Sequence, residues 1–130
     1  MEVGGDAQAQ TSNGDTPLHC AAGNGHVETV KLLMELGGDM HAKISEGLTP
    51  LHCAAQFGHV ETVRLLVENG ANMLSRTKEG FTPLHIAAVI GLTDIVKVLE
   101  ELGDDVHAQT QNGSTPLHCA AQGGHLETVE

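Results

Sequence analysis

Tryptophan and tyrosine are absent from this chain of 130 residues, and phenylalanine occurs only twice. Its core must therefore be built from aliphatic side chains. Positive charge is also scarce. Six Lys and Arg stand against 17 Asp and Glu, for a net charge of −11. There is no basic run, which argues against a nucleic-acid or anionic-membrane surface and favours a basic or neutral protein partner. The apolar runs are short and interrupted, so nothing reads as a membrane span. Met1 to Gln10 has neither a basic start nor an apolar stretch, and does not read as a signal peptide. Cys-x-x-Cys, His-Glu-x-x-His and a glycine-rich phosphate loop are all missing.

What the chain does have is a repeat. Thr-Pro-Leu-His occurs at Thr16, Thr49, Thr82 and Thr115, each copy 33 residues after the last. A Gly stands two residues ahead of each Thr (Gly14, Gly47, Gly80, Gly113), and paired alanines follow it. Gly25, Gly58, Gly91 and Gly124 come next, then apolar stretches such as Val63-Arg64-Leu65-Leu66, and Gly37, Gly70 and Gly103 end the unit. Thr49 suits a helix N-cap and Pro50 the first helical position. Leu51, Ala54 and Ala55 then predict a short helix with a narrow face that ends at Gly58. Val60, Val63, Leu66 and Val67 recur at helical spacing and predict a second helix that ends at Gly70. Glu61, Arg64 and Glu68 lie on its other face, spaced to pair with one another. One such helix pair cannot bury its own stripe, so stability must come from stacking on neighbours.

With these motifs in register, the chain resembles the ankyrin-repeat family from about Gly4 to Glu130. The resemblance implies an all-α repeat solenoid of stacked helix-turn-helix units with β-hairpin finger loops. Residues 1–130 then form a single domain. In it, 1–13 is the tail of a preceding repeat, 14–46, 47–79 and 80–112 are full repeats, and 113–130 is a truncated fourth. Neither end carries a polar capping repeat, so the sequence reads as a fragment, as a unit whose ends are covered, or as a chance boundary. In the third repeat Glu100 and Asp104 replace apolar or small residues, which predicts a weak seam between the third and fourth repeats.

The nine histidines and three cysteines invite a metal or catalytic reading, but the repeat accounts for most of them. His19, His52, His85 and His118 belong to the Thr-Pro-Leu-His turn, and the resemblance gives them a structural role, bonded to the Thr side chain and nearby backbone. His26, His59 and His125 follow the inter-helix Gly. His41 and His107 fall in the finger loop with Leu74, at a slot where family members carry an Asn, and occasionally a His, that an oxygenase can hydroxylate. That Asn is absent here. Cys20, Cys53 and Cys119 share one slot beside paired alanines, too far apart from repeat to repeat for a disulfide. They read as small buried residues of a reducing compartment, cytoplasm or nucleus. Adjacent His and Cys on a helix do not face each other, so no nucleophile–base pair is expected. Catalytic residues, cofactor and metal ligands are all expected to be none.

Function should then lie in the variable surface. The resemblance implies a concave face, lined by finger tips and first helices, that binds a protein partner. Mapped onto this chain, its central repeats hold Leu48, Phe57, Phe81, Val89 and Ile90 with Lys78 beside them. These six are the candidate partner-binding residues, an apolar patch within a polar rim. The leading expectation is a non-enzymatic protein–protein interaction module. The alternatives are a spacer within a longer ankyrin solenoid and, far behind, a metal protein or enzyme. End-to-end self-association through uncapped repeats is a further partner reading.

Overall fold

A computed structural model describes residues 16–103 and residue 121. Six helices run in three pairs: α1 (Pro17–Gly23) with α2 (Val27–Glu35), α3 (Pro50–Gln56) with α4 (Val60–Glu68), and α5 (Pro83–Ile90) with α6 (Thr93–Glu101). Each first helix starts as its sequence dictates. The hydroxyls of Thr16, Thr49 and Thr82 accept the backbone N–H of His19, His52 and His85, and a proline follows each Thr as the first helical residue. The paired alanines Ala21-Ala22, Ala54-Ala55 and Ala87-Ala88 are all buried. With so little side chain between them, first helices of successive repeats approach closely, α1 on α3 and α3 on α5. The second helices stack likewise, α2 on α4 and α4 on α6.

The interior is aliphatic, as the missing aromatics require. Leu18, Val30, Leu33, Leu51, Val63, Leu66, Leu84 and Leu99 are almost wholly buried in one continuous cluster. Burial of each such side chain contributes on the order of 2 kcal/mol. Substantial contacts join only helices of the same repeat or of adjacent repeats.

The finger loops depart from the hairpin that the resemblance implies. Among the described residues there is no strand. The first finger is a single 3-10 turn at Ser45–Gly47, closed where Ile44 N–H donates to Leu48 C=O at 2.9 Å. The next closes the same way, Thr77 N–H to Phe81 C=O at 2.9 Å. Beside the turn bond of each finger, Gly47 N–H to Ile44 C=O and Gly80 N–H to Thr77 C=O, this single closing bond is too short a ladder to make strands. Neighbouring fingers are linked by Lys78 N–H to Glu46 C=O at 2.9 Å and by Lys43 Nζ to Arg76 C=O at 3.1 Å.

Two further expectations change. Arg64 does not pair with Glu61 or Glu68 but reaches across the seam to Glu101 on α6, at 3.4 Å. Cys20 is exposed, whereas Cys53 is buried and packs near Gly23 of the preceding repeat. Among the described residues no helix covers the side of α1 that corresponds to the packed side of α3. Glu100 points to solvent, so its charge costs no burial. Asp104, Cys119 and the seam between the third and fourth repeats lie outside the described residues.

Candidate functional site

The Thr-Pro-Leu-His histidines among the described residues, His19, His52 and His85, are structural members of the stack. Thr16 Oγ1 lies 2.6 Å from His19 Nδ1, Thr49 Oγ1 2.8 Å from His52 Nδ1, and Thr82 Oγ1 2.7 Å from His85 Nδ1. On the other side of the ring, His19 Nε2 faces Leu48 C=O at 2.9 Å and His52 Nε2 faces Phe81 C=O at 3.0 Å. A carbonyl can only accept, so Nε2 carries the proton and Nδ1 accepts the threonine hydroxyl. Each of these two rings thus ties its own first helix to the opening of the next repeat. Burial pushes His52 down to about 4, an effect that the bond to Phe81 C=O offsets only in part.

His59 plays a second tying role, since its Nε2 donates to Gly23 C=O in the preceding repeat at 3.0 Å. A Cβ on Gly25 would stand 2.5 Å from that ring, so the glycine is needed for space as well as for its φ of +70°. Leu92 takes the place of this histidine in the third repeat and packs over Gly58 instead. Among the described residues, no three His, Cys, Asp or Glu side chains gather as metal ligands would.

The six candidate partner-binding residues separate into groups. Phe57 is 60% exposed, Ile90 44% and Val89 37%, all at the C-terminal ends of first helices. Lys78 is exposed near the finger tip. Leu48 is half-buried in the wall of a groove of about 410 Å³, which it shares with Ile44 from the finger and with Cys20, Gln56 and Phe57 from the first helices. Phe81 is half-buried against the core, with its ring 6.3 Å from that of His85. Phe57, Val89 and Ile90 therefore form the outward part, while Leu48 and Phe81 brace the fingers behind them.

Sequence reasoning missed Ile44 and Cys20 in the groove. Leu74 was also missed as a surface apolar residue, 54% exposed in the finger. It and His41 occupy the finger slot, each following a turn in which the backbone N–H bonds the Asn72 or Asp39 side chain. His107 lies outside the described residues.

Charge is unevenly placed. The first helices carry no Asp, Glu, Lys or Arg at all. Each second helix carries one base and two or three acids. The fingers hold the other bases, Lys43, Arg76 and Lys78. The groove floor is thus uncharged, the fingers are mixed, and the acidity sits on the second helices. Among the described residues, no helix is long and apolar enough to cross a membrane.

A comparison with curated proteins finds no match. The family model described as ankyrin repeats in three copies matches residues 2–77, 37–110 and 72–130. Ankyrin repeats are generally protein–protein interaction modules and typically lack enzymatic activity. The matched windows span residues 2 to 130 and overlay the stacked helix pairs just described, so the chain belongs to the ankyrin-repeat family.

Proposed function

We propose that this chain is a non-enzymatic module that binds a protein partner across its fingers and first helices. Phe57, Val89 and Ile90 make the centre of the contact. Leu48 and Phe81 hold the fingers in place behind it, and Lys78 stands at the rim. The observation that carries this reading is the exposure of three large apolar side chains on helices that bear no charge, beside an open groove. An exposed aromatic next to a groove suits an apolar anchor of the partner, whereas a nucleic acid would need a basic surface. We place the protein in a reducing compartment, cytoplasm or nucleus, where the thiols of Cys20 and Cys53 persist outside any disulfide. No cofactor, metal or membrane enters the proposal. A second copy of the chain, stacked end to end, is the other partner we propose.

The test is partner capture with the natural chain and with a Phe57→Ser/Ile90→Ser double variant. Loss of the captured partner with unchanged melting supports the site. Retention of the partner rejects it, and so does a purely structural collapse. A spacer within a longer solenoid would capture no partner that these substitutions release.

A further inference from the structure

In an Asn-Gly pair the backbone can attack the asparagine side chain readily, because glycine puts no Cβ in the way. The sequence has four such pairs, of which Asn24-Gly25 and Asn69-Gly70 lie among the described residues. Each closes a helix, Asn24 as the C-cap of α1 and Asn69 as the C-cap of α4, and both asparagines are exposed. In the reaction the glycine amide nitrogen bonds to the asparagine Cγ. The Cγ–Nδ2 bond breaks, and Nδ2 leaves as ammonia with the proton of that amide. Water then opens the cyclic imide at either carbonyl and leaves Asp or isoaspartate.

The folded helix ends hold the reacting atoms apart. ψ is 1° at Asn24 and 7° at Asn69, so the glycine nitrogen eclipses the asparagine's own backbone nitrogen. Ring closure needs it to eclipse Cβ instead. Turning ψ that far at Asn69 breaks the bonds from Gly70 N–H to Val67 C=O at 3.0 Å and from Ala71 N–H to Leu66 C=O at 2.9 Å. At Asn24 it breaks those from Gly25 N–H to Ala22 C=O at 3.2 Å and from His26 N–H to Ala21 C=O at 3.0 Å. The side chains are engaged as well. Asn69 Nδ2 donates to Leu65 C=O at 2.7 Å and Asn24 Nδ2 to Cys20 C=O at 2.8 Å, each back along its own helix. Reaction therefore waits for the helix end to open, and its rate follows the open fraction.

The two ends differ in what keeps them shut. The turn after α1 is clamped from the next repeat, where His59 donates to Gly23 C=O and sets its ring against Gly25. Gly70 is exposed, and a Cβ built on it would meet nothing within 4 Å. We propose that Asn69-Gly70 is a modification site gated by opening of the end of α4, and that Asn24-Gly25 carries the same chemistry under the lock of His59. Leu36 and Leu102 hold the C-cap position of the other two second helices, so neither offers an amide there. The change is one-way. An acid in place of Asn69 sets negative charge at a helix C-terminus and an oxygen where Nδ2 donated to Leu65 C=O, so the end closes less firmly than before.

The test is peptide mapping by mass spectrometry of the chain held at neutral pH. Synthetic peptides spanning Ala22–Val27 and Leu66–Ala71 give the rate of each pair without the fold. In the folded chain both pairs should convert several-fold more slowly than their peptides, Asn69 ahead of Asn24, and urea should bring both to the peptide rates. His59→Ala should speed Asn24 several-fold and leave Asn69 unchanged. Asn69→Asp should melt below the natural chain. Conversion of Asn69 at its peptide rate in the folded chain overturns the gate. Parallel acceleration of both pairs in His59→Ala, or Asn24 ahead of Asn69 in the natural chain, overturns the assignment to separate helix ends. An Asn69→Asp chain that melts with the natural one overturns the weakened closure.

Discussion

His52 shows how one buried ring makes stability depend on pH. Folded, it titrates near 4, and unfolded near the ordinary 6.5. The folded chain then binds fewer protons than the unfolded one between these values. Stability is complete above pH 6.5 and falls as pH drops toward 4. At pH 5 the loss from this residue is about 2 kcal/mol, at 1.4 kcal/mol per unit. Urea melting at pH 7.5 and pH 5 (about one unit above and well below the free imidazole value) should show that difference, and His52→Asn should flatten the profile while costing stability at neutral pH. Thr62 is the opposite kind of residue. It is fully buried on α4, and its hydroxyl has no hydrogen-bond partner. The third repeat has Ile95 at this position, also buried. Thr62→Val keeps the shape and removes the orphaned group, so it should raise stability by about 1 kcal/mol in the same melting experiment.

The helices were legible because each is marked at both ends. Thr and Pro fix the start of every first helix, and the apolar stripe Val60, Val63, Leu66 and Val67 fixes the inward face of the second. The fingers were less legible, because they consist of backbone bonds that no side-chain pattern announces. Their constraint is visible at two adjacent residues. Gly47 has a φ of +80°, and a Cβ there would meet Lys78 N at 3.1 Å and Thr77 Cα at 3.2 Å. Both neighbours are backbone of the next finger and cannot swing aside. Glu46, just before it, is the one residue other than glycine with positive φ (+67°) among those described. Its C=O accepts from Lys78, but its side chain gains nothing from the left-handed turn. Opposite outcomes follow. Gly47→Ala should destabilise by roughly 2 kcal/mol and loosen the contact between fingers. Glu46→Asn should stabilise by up to about 1 kcal/mol, since asparagine tolerates this region. Paired thermal melts of the two variants against the natural chain would check both signs.

At the scale of the whole molecule, the repeat predicted the stack and the aliphatic core, while the candidate surface was readable only in part. Sequence register placed Phe57 and Phe81 in one patch, but register cannot tell a ring that caps a helix end from one that leans on a histidine. Phe57 sits past the last turn of α3 and points outward, while Phe81 precedes Thr82 and is drawn inward beside His85. Composition likewise gave the net charge but not its distribution, because the acids repeat at second-helix positions and the first helices have none. Since, among the described residues, substantial contacts join only neighbouring repeats, a pull on the two ends would load the seams one after another along a single line. Among the described residues no strand spans several seams to share the force. The chain should therefore stretch as springs joined in series, yielding first at its softest joint while the remaining pairs keep their shape.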